Sequence, residues 1–241
     1  MSYESILIEK KEGIGFLALN RPDDDNRLTS RMCTEVTEAL DKFSEDGDIR
    51  VVIIRGSGKN FCLGKSITEL ENRRTAWDRL EVSNSYSHLM KSIIDFTKGL
   101  VVAVHGICVK GGAEIAMRGD ITVMEEDAKI GFDAINLGLS CLVALPYLRS
   151  VIGQKRALEL VLTGRLLSAQ EAERFGLINK IASKGQLDEV ALQYAKMISG
   201  KRPLAVKLTK MANSQTRDMG PGMAQALLNA QAAILGTAEG E

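Results

Sequence analysis

A chain of 241 residues, 45% of them hydrophobic, is long enough to bury a full core, as one large α/β domain or as a domain with a helical appendage. Lys plus Arg and Asp plus Glu both total 31, so the formal net charge is zero and the balance does not point to nucleic acid or an anionic membrane as a partner. The start is polar, no apolar run approaches the roughly 20 residues of a membrane span, and Cys33, Cys62, Cys108 and Cys141 form no CxxC pair, which excludes a recognisable metal site or disulfide framework and fits a reducing cytosol.

The first elements read as a β-hairpin, Ser5–Glu9 and Ile14–Leu19 around the turn Glu12-Gly13. Pro22 ends the second strand, and Asp23-Asp24-Asp25 reads as a solvated turn. Thr29 or Ser30 can cap a helix to about Phe43, with Val36, Leu40 and Phe43 on one face. Val51–Arg55 is a buried-type strand broken by Gly56-Ser57-Gly58. A helix from about Arg79 to Phe96 carries Leu80, Tyr86, Leu89, Met90 and Ile93 at helical spacing, and Trp77 and Tyr86 read as core residues. Strands follow at Leu100–Val104, Ile121–Glu125 and Lys129–Phe132, with a short helix from Gly111, an alternation that argues for βαβ units. His105 reads as a satisfied core histidine and His88 as solvated. The last third is helical: Val151–Thr163 as one helix, a capping box at Ser168 and Glu171 with a C-cap at Gly176, then Leu187–Ile198, Pro203–Asn213 and Gly222–Leu235.

Two glycine turns carry the chemistry. Gly64-Lys65-Ser66 ends like a phosphate loop, but that motif needs glycine where Lys59 stands, and Phe61, Cys62 and Leu63 are apolar where a phosphate cradle wants open backbone. An ordinary strand-to-loop turn is the plainer alternative. In Gly106–Glu114 an apolar strand runs into Gly111-Gly112, which open a helix. Free N–H groups there, with no side chain in the way, can hold an oxyanion, and Glu114 in the first turn is a candidate acid or base. Close helix–strand packing by the glycines, with Glu114 as a plain helix-start residue, explains the segment equally well on local grounds.

Taken together, Asn20-Arg21-Pro22 with Asn26 and Leu28, the run Phe61-Cys62-x-Gly64-x-x-Ile67-x-Glu69-Leu70, Gly111-Gly112-Ala113-Glu114, Asp120-Ile121, Asn136-Leu137-Gly138-Leu139, Leu162–Arg165, Ser168–Ala172 and Gly176–Asn179 resemble the enoyl-CoA hydratase/isomerase (crotonase) family along nearly the whole chain, in order. The resemblance implies an α/β fold: a crotonase-like spiral of repeated ββα units over 1–185 and a helical C-terminal trimerisation region over 186–241. It implies an acyl-CoA thioester as substrate, coenzyme A as part of that substrate and no other cofactor or metal, a cytoplasmic enzyme, and a homotrimer or dimer of trimers. The oxyanion hole would be the N–H groups of Lys65 and Gly111. Glu114 would be the acid/base, Lys65, Ser66, Ile67 and Thr68 with Gly112 and Ala134 would bind the acyl-CoA, Trp77 and Tyr86 would line the acyl pocket if they do not simply pack in the core, and Arg27 would meet the CoA phosphates.

The sequence departs from the hydratase pattern at the second glutamate, where Ala134 stands. Asp133 beside it would point the other way on an extended segment. Ser140–Ala144 replaces a glycine-rich turn and makes the pocket wall more apolar. Lys65 places a cation where hydratases carry a small residue, to hold a substrate carboxylate or to point to solvent. The resemblance thus implies hydratase or double-bond isomerase chemistry with one carboxylate, with an acyl-CoA decarboxylase (methylmalonyl-CoA-like) or hydrolase, or a weakly active acyl-CoA-binding homologue, as alternatives.

Overall fold

The computed structural model describes residues 3–72 and 75–216. The hairpin β1 (Ile6–Lys11) and β2 (Ile14–Leu19) is antiparallel, turning at Glu12 and Gly13, both at positive φ. The Thr29 side chain accepts the Met32 N–H to open α1 (Ser30–Glu45), whose buried Met32, Val36, Leu40 and Phe43 recur every three or four residues. Then come β3 (Val51–Gly56), α2 (Ile67–Glu71) and α3 (Ala76–Asp95). The third helix starts earlier than its apolar spacing predicts, because Thr75 and Asp78 form a capping box. It buries Val82, Tyr86, Leu89, Met90 and Ile93, whereas Leu80 is 48% and Trp77 69% exposed, so neither belongs to the core.

The chain continues through β4 (Gly99–Val104), β5 (Ile107–Val109), α4 (Gly111–Ala116), β6 (Ile121–Glu125), β7 (Lys129–Gly131) and a 3-10 turn at Asp133–Leu137. The helix predicted over Val151–Thr163 is two helices, α5 (Ala144–Ile152) and α6 (Gln154–Thr163). Gly153 between them sits at φ 81°, outside any right-handed helix. Then follow β8 (Leu166–Ser168), α7 (Ala169–Phe175), β9 (Lys180–Ala182), α8 (Leu187–Ser199) and α9 (Pro203–Thr216). The expected capping box at Ser168 and Glu171 and the left-handed cap at Gly176 bracket α7. The helix expected at 222–235 lies outside the described residues.

The strands form two sheets. The larger has the order β1-β2-β3-β4-β6-β9, parallel except for β1; the smaller has the order β5-β7-β8. The chain passes from one to the other repeatedly, β4 to β5 and then β6 to β7, and a bridge from Cys62 to Cys108 extends the small sheet toward the loop after β3. A parallel sheet needs cover on both faces. On β3, Val52 and Ile54 join the main core with α1, α3 and α4, while Val51 and Ile53 face Leu187, Ala191 and Ala195 of α8. No described helix is long and apolar enough to cross a membrane.

Candidate active site

The two glycine turns meet. After β3 the chain runs through buried Phe61 and Cys62 to Gly64, at φ 87°. Leu28 then pairs with Lys65 in a parallel bridge: the Leu28 N–H donates to Gly64 O at 2.8 Å and the Ser66 N–H to Leu28 O at 2.9 Å. In such a pairing the N–H of Lys65 points away from Leu28. On the other side Lys110, a non-glycine residue at φ 52° and ψ −120°, turns the chain from β5 into α4, its own N–H donating to Gly131 O. Gly111 is the first helical residue, so its N–H has no partner within the helix. Among the described residues neither N–H, of Lys65 or of Gly111, finds a protein acceptor. The turns are in hard contact: a Cβ on Gly64 would lie 2.5 Å from Lys110 Cβ and 3.1 Å from Gly111 N, and a Cβ on Gly112 2.4 Å from Cys62 O.

Glu114, 8% exposed, stands in the first turn of α4. Arg118 lies four residues on, with Nη1 3.5 Å from Glu114 Oε2 and donating to Glu114 O at 3.0 Å, while Nη2 donates to Val143 O. Tyr86, 2% exposed, comes in from α3 with its ring edge and hydroxyl against Gly111. Burial pushes the Glu114 carboxyl above the ordinary carboxylate range, opposed by Arg118, the Tyr86 hydroxyl and Lys65. Burial likewise raises the Tyr86 phenol, with the Glu114 charge adding to it. Among the described residues neither Glu114 Oε2 nor the Tyr86 oxygen completes a well-formed hydrogen bond. The Lys65 side chain turns inward, not to solvent: its ammonium sits 3.9 Å over the Tyr86 ring. Burial lowers its pKa, and the Glu114 charge works against that.

The remaining expected residues surround this group at different depths. Ser66 is buried, and Ile67 and Thr68 open α2, whose Glu69 accepts the Ser30 N–H at 2.8 Å and ties the loop to α1. Gly112 packs on Cys62. Arg27 is ion-paired within its own turn, 3.2 Å from Asp24 and 3.7 Å from Asp25, and 36% exposed. Ala134 lies in the 3-10 turn, its carbonyl accepting the Leu139 N–H. The segment is therefore bent, not extended, and Asp133 is held at 3.1 Å by Lys110 Nζ. Leu142 and Val143 are 77% and 44% exposed, so they face outward and do not form an enclosed apolar wall. His105 lies past the end of β4, only half-buried, its ring nitrogen 3.0 Å from Gly58 O.

Sequence reasoning missed Arg118, which lies in the turn just past α4, although its spacing of four from Glu114 was a readable signal. It also missed the inward Lys65 ammonium, which only the position of α3 reveals. A cavity of about 690 Å³ lies between α9 and the end of α3, with Arg118 and Tyr147 in its lining. Among the described residues no cluster of His, Cys, Asp or Glu could hold a metal.

Comparison with known proteins bears on the family and the fold. The profile of the enoyl-CoA hydratase/isomerase family matches residues 9–234. A Delta(3,5)-Delta(2,4)-dienoyl-CoA isomerase of Arabidopsis thaliana is 32% identical over 234 residues, covering 90% of this chain and 84% of the isomerase. An (E)-benzylidenesuccinyl-CoA hydratase of Thauera aromatica is 30% identical over 219 residues, covering 89% of this chain and 84% of its own. The crystal structure of an enoyl-CoA hydratase from Mycobacterium smegmatis superposes with a TM-score of 0.91 at 27% identity, over 96% of this chain and 90% of that one.

Proposed function

Because the chain belongs to the enoyl-CoA hydratase/isomerase family and is an enzyme of the lyase/isomerase type, we propose that it moves a proton on an enoyl-CoA through an enolate, as a double-bond isomerase with a single carboxylate. The thioester oxygen accepts the N–H groups of Lys65 and Gly111. Two such donors stabilise the charge that develops on oxygen as a proton leaves the α carbon, each contributing about 2.7–4 kcal/mol. Glu114 takes that proton, the electron pair spreads onto the oxygen, and the same carboxyl returns the proton at the γ carbon as the double bond shifts into conjugation. The raised Glu114 pKa brings the carboxyl closer to working pH as both base and acid.

The observation that carries isomerisation over hydration is the lone carboxylate. Hydration needs a second group to hold water, Ala134 stands at that position, and the neighbouring Asp133 is committed to Lys110. Purified protein given a 3-enoyl-CoA in D2O is expected to form the conjugated 2-enoyl isomer, followed by absorbance and mass. Glu114→Gln is expected to lower the rate by about 10²- to 10⁴-fold. Hydration of crotonyl-CoA that outpaces isomerisation and survives Glu114→Gln sinks the assignment.

In the same reading Ser66, Ile67, Thr68 and Gly112 line the acyl-CoA groove, and Arg27, still 36% exposed, is the cation for the CoA phosphates. The repeated passage between sheets supports a spiral of ββα units. The enzyme assembles in the cytoplasm as a homotrimer or dimer of trimers. Exposed Ile135, Leu137, Leu139, Leu142 and Leu162, around the 3-10 turn and the end of α6 that packs on it, support an assembly.

A further inference from the structure

The Lys65 ammonium lies beside the candidate reacting centre without an ion pair among the described residues. It has no carboxylate within 4.0 Å among the described residues. The nearest acid along its own segment, Glu69, accepts from the Ser30 N–H. The ammonium sits 3.9 Å over the face of Tyr86, and the edge of the same ring packs on Gly111. The cation and Gly111 therefore both lie against one aromatic ring. Desolvation of the ammonium is the main force on its pKa, and only the more distant Glu114 and Cys33 offset it. A half-buried cation here is strongly favoured by any anion that enters with the acyl group, because a desolvated ion pair is screened far less than one in water. The oxyanion role does not require a lysine at this place, because the backbone N–H serves whatever the side chain, and Met would fill the volume over Tyr86 without desolvating a charge.

We propose that Lys65 is a specificity residue that selects acyl-CoA thioesters carrying a second carboxylate on a short acyl chain. The carboxylate takes the ammonium as its counter-ion while the thioester oxygen sits between the two N–H groups. The inference rests on the enolate reading, and the test separates the two. Exchange of α protons in D2O needs only deprotonation by Glu114 and return of deuterium, so saturated thioesters suffice. Butyryl-CoA and glutaryl-CoA are followed by NMR and mass, and their dissociation constants by calorimetry.

Wild type is expected to exchange glutaryl-CoA with a kcat/KM about ten- to a hundredfold above butyryl-CoA, the worth of one hydrogen bond to a charged group. In Lys65→Met that ratio should fall to one or below, and in Lys65→Arg it should largely return. Equal handling of the two thioesters by wild type, or a preference that Lys65→Met leaves intact, overturns the proposal while leaving enolate chemistry standing. Failure of both thioesters to exchange counts against the enolate reading instead. In that case the selectivity is decided by binding alone: Lys65-dependent tighter binding of glutaryl-CoA supports it, and equal binding overturns it.

Discussion

Gly112→Ala tests whether the contact between the two glycine turns sets the oxyanion geometry. The added Cβ would lie 2.4 Å from Cys62 O, 2.8 Å from Cys62 Cβ and 3.0 Å from its carbonyl carbon, where ordinary contact begins at 3.4 Å. The obstacle is mostly backbone, and Cys62 is pinned by its bridge to Cys108 and by accepting the Val109 N–H at 3.0 Å. No flexible side chain can move aside, so α4 must withdraw by up to an ångström. Overpacking of this kind costs about 1–3 kcal/mol, offset by about 1 kcal/mol because alanine is the better helix former. A net loss of up to about 2 kcal/mol lowers Tm by a few degrees, at about 2–4 °C per kcal/mol for a chain of this size. The effect on rate is larger, because Gly111 moves with Gly112, and a 1 Å misplacement of a positioned group costs about 10²-fold. Thermal melts followed by circular dichroism, set against α-proton exchange of an acyl-CoA in D2O, separate the two effects. Wild-type exchange with an unchanged Tm would refute the reasoning, because it would mean that the turns are not in contact or that the donor at Gly111 is not used.

The acid limb of the kcat/KM profile should lie above the ordinary glutamate value of 4.5, because Glu114 must be ionised to take a proton and burial raises its pKa; Tyr86→Phe should move that limb further up, since the hydroxyl helps hold the charge. The linked stability has the opposite sense: with the folded pKa raised, the Glu114 contribution is full below the unfolded value and is lost as pH rises through the folded one. Arg118→Met should cost about 3–5 kcal/mol in urea denaturation by stranding Glu114, and adding Glu114→Gln should recover part of it; additive losses would show that the pair is not coupled. Lys110→Gly should stay within about 1 kcal/mol of wild type, because relief of the backbone strain at φ 52° offsets loss of the Asp133 ion pair. Lys110→Ala keeps the strain, loses the pair and should be clearly less stable; equal stabilities for the two variants would remove strain from the account.

What could be read from the sequence follows from how local each signal is. The long strands β2, β3, β4 and β6 are apolar runs longer than a helical turn allows to stay on one face, and they appear where expected. The three-residue strands β8 and β9 have no period of their own and exist only because a neighbour offers hydrogen-bonding partners. Gly153 looked tolerable inside a helix because apolar spacing continues across it; its positive φ is a tertiary fact. At the site, Gly64, Gly111 and Glu114 were legible because backbone donors and a helix-start carboxylate need only the right residue types in order. Where the Lys65 ammonium points, and that Asp133 turns back to Lys110, depend on α3 and on the 3-10 turn and have no local signature.

The face of the large sheet formed by Ile14, Val51, Ile53, Val101, Ala103 and Val123 is sealed by α8, which follows the last of those strand residues by more than sixty positions. Synthesis runs from the N-terminus, so a nascent chain completes both glycine turns and the strands beneath them well before the ribosome supplies their outer cover. During that interval a flat, β-branched surface is open to water and to other nascent chains. The helix thus determines when the protein becomes safe to release as well as how stable it is, and a pause in translation ahead of Leu187 would prolong the time in which a chaperone has to shield that face.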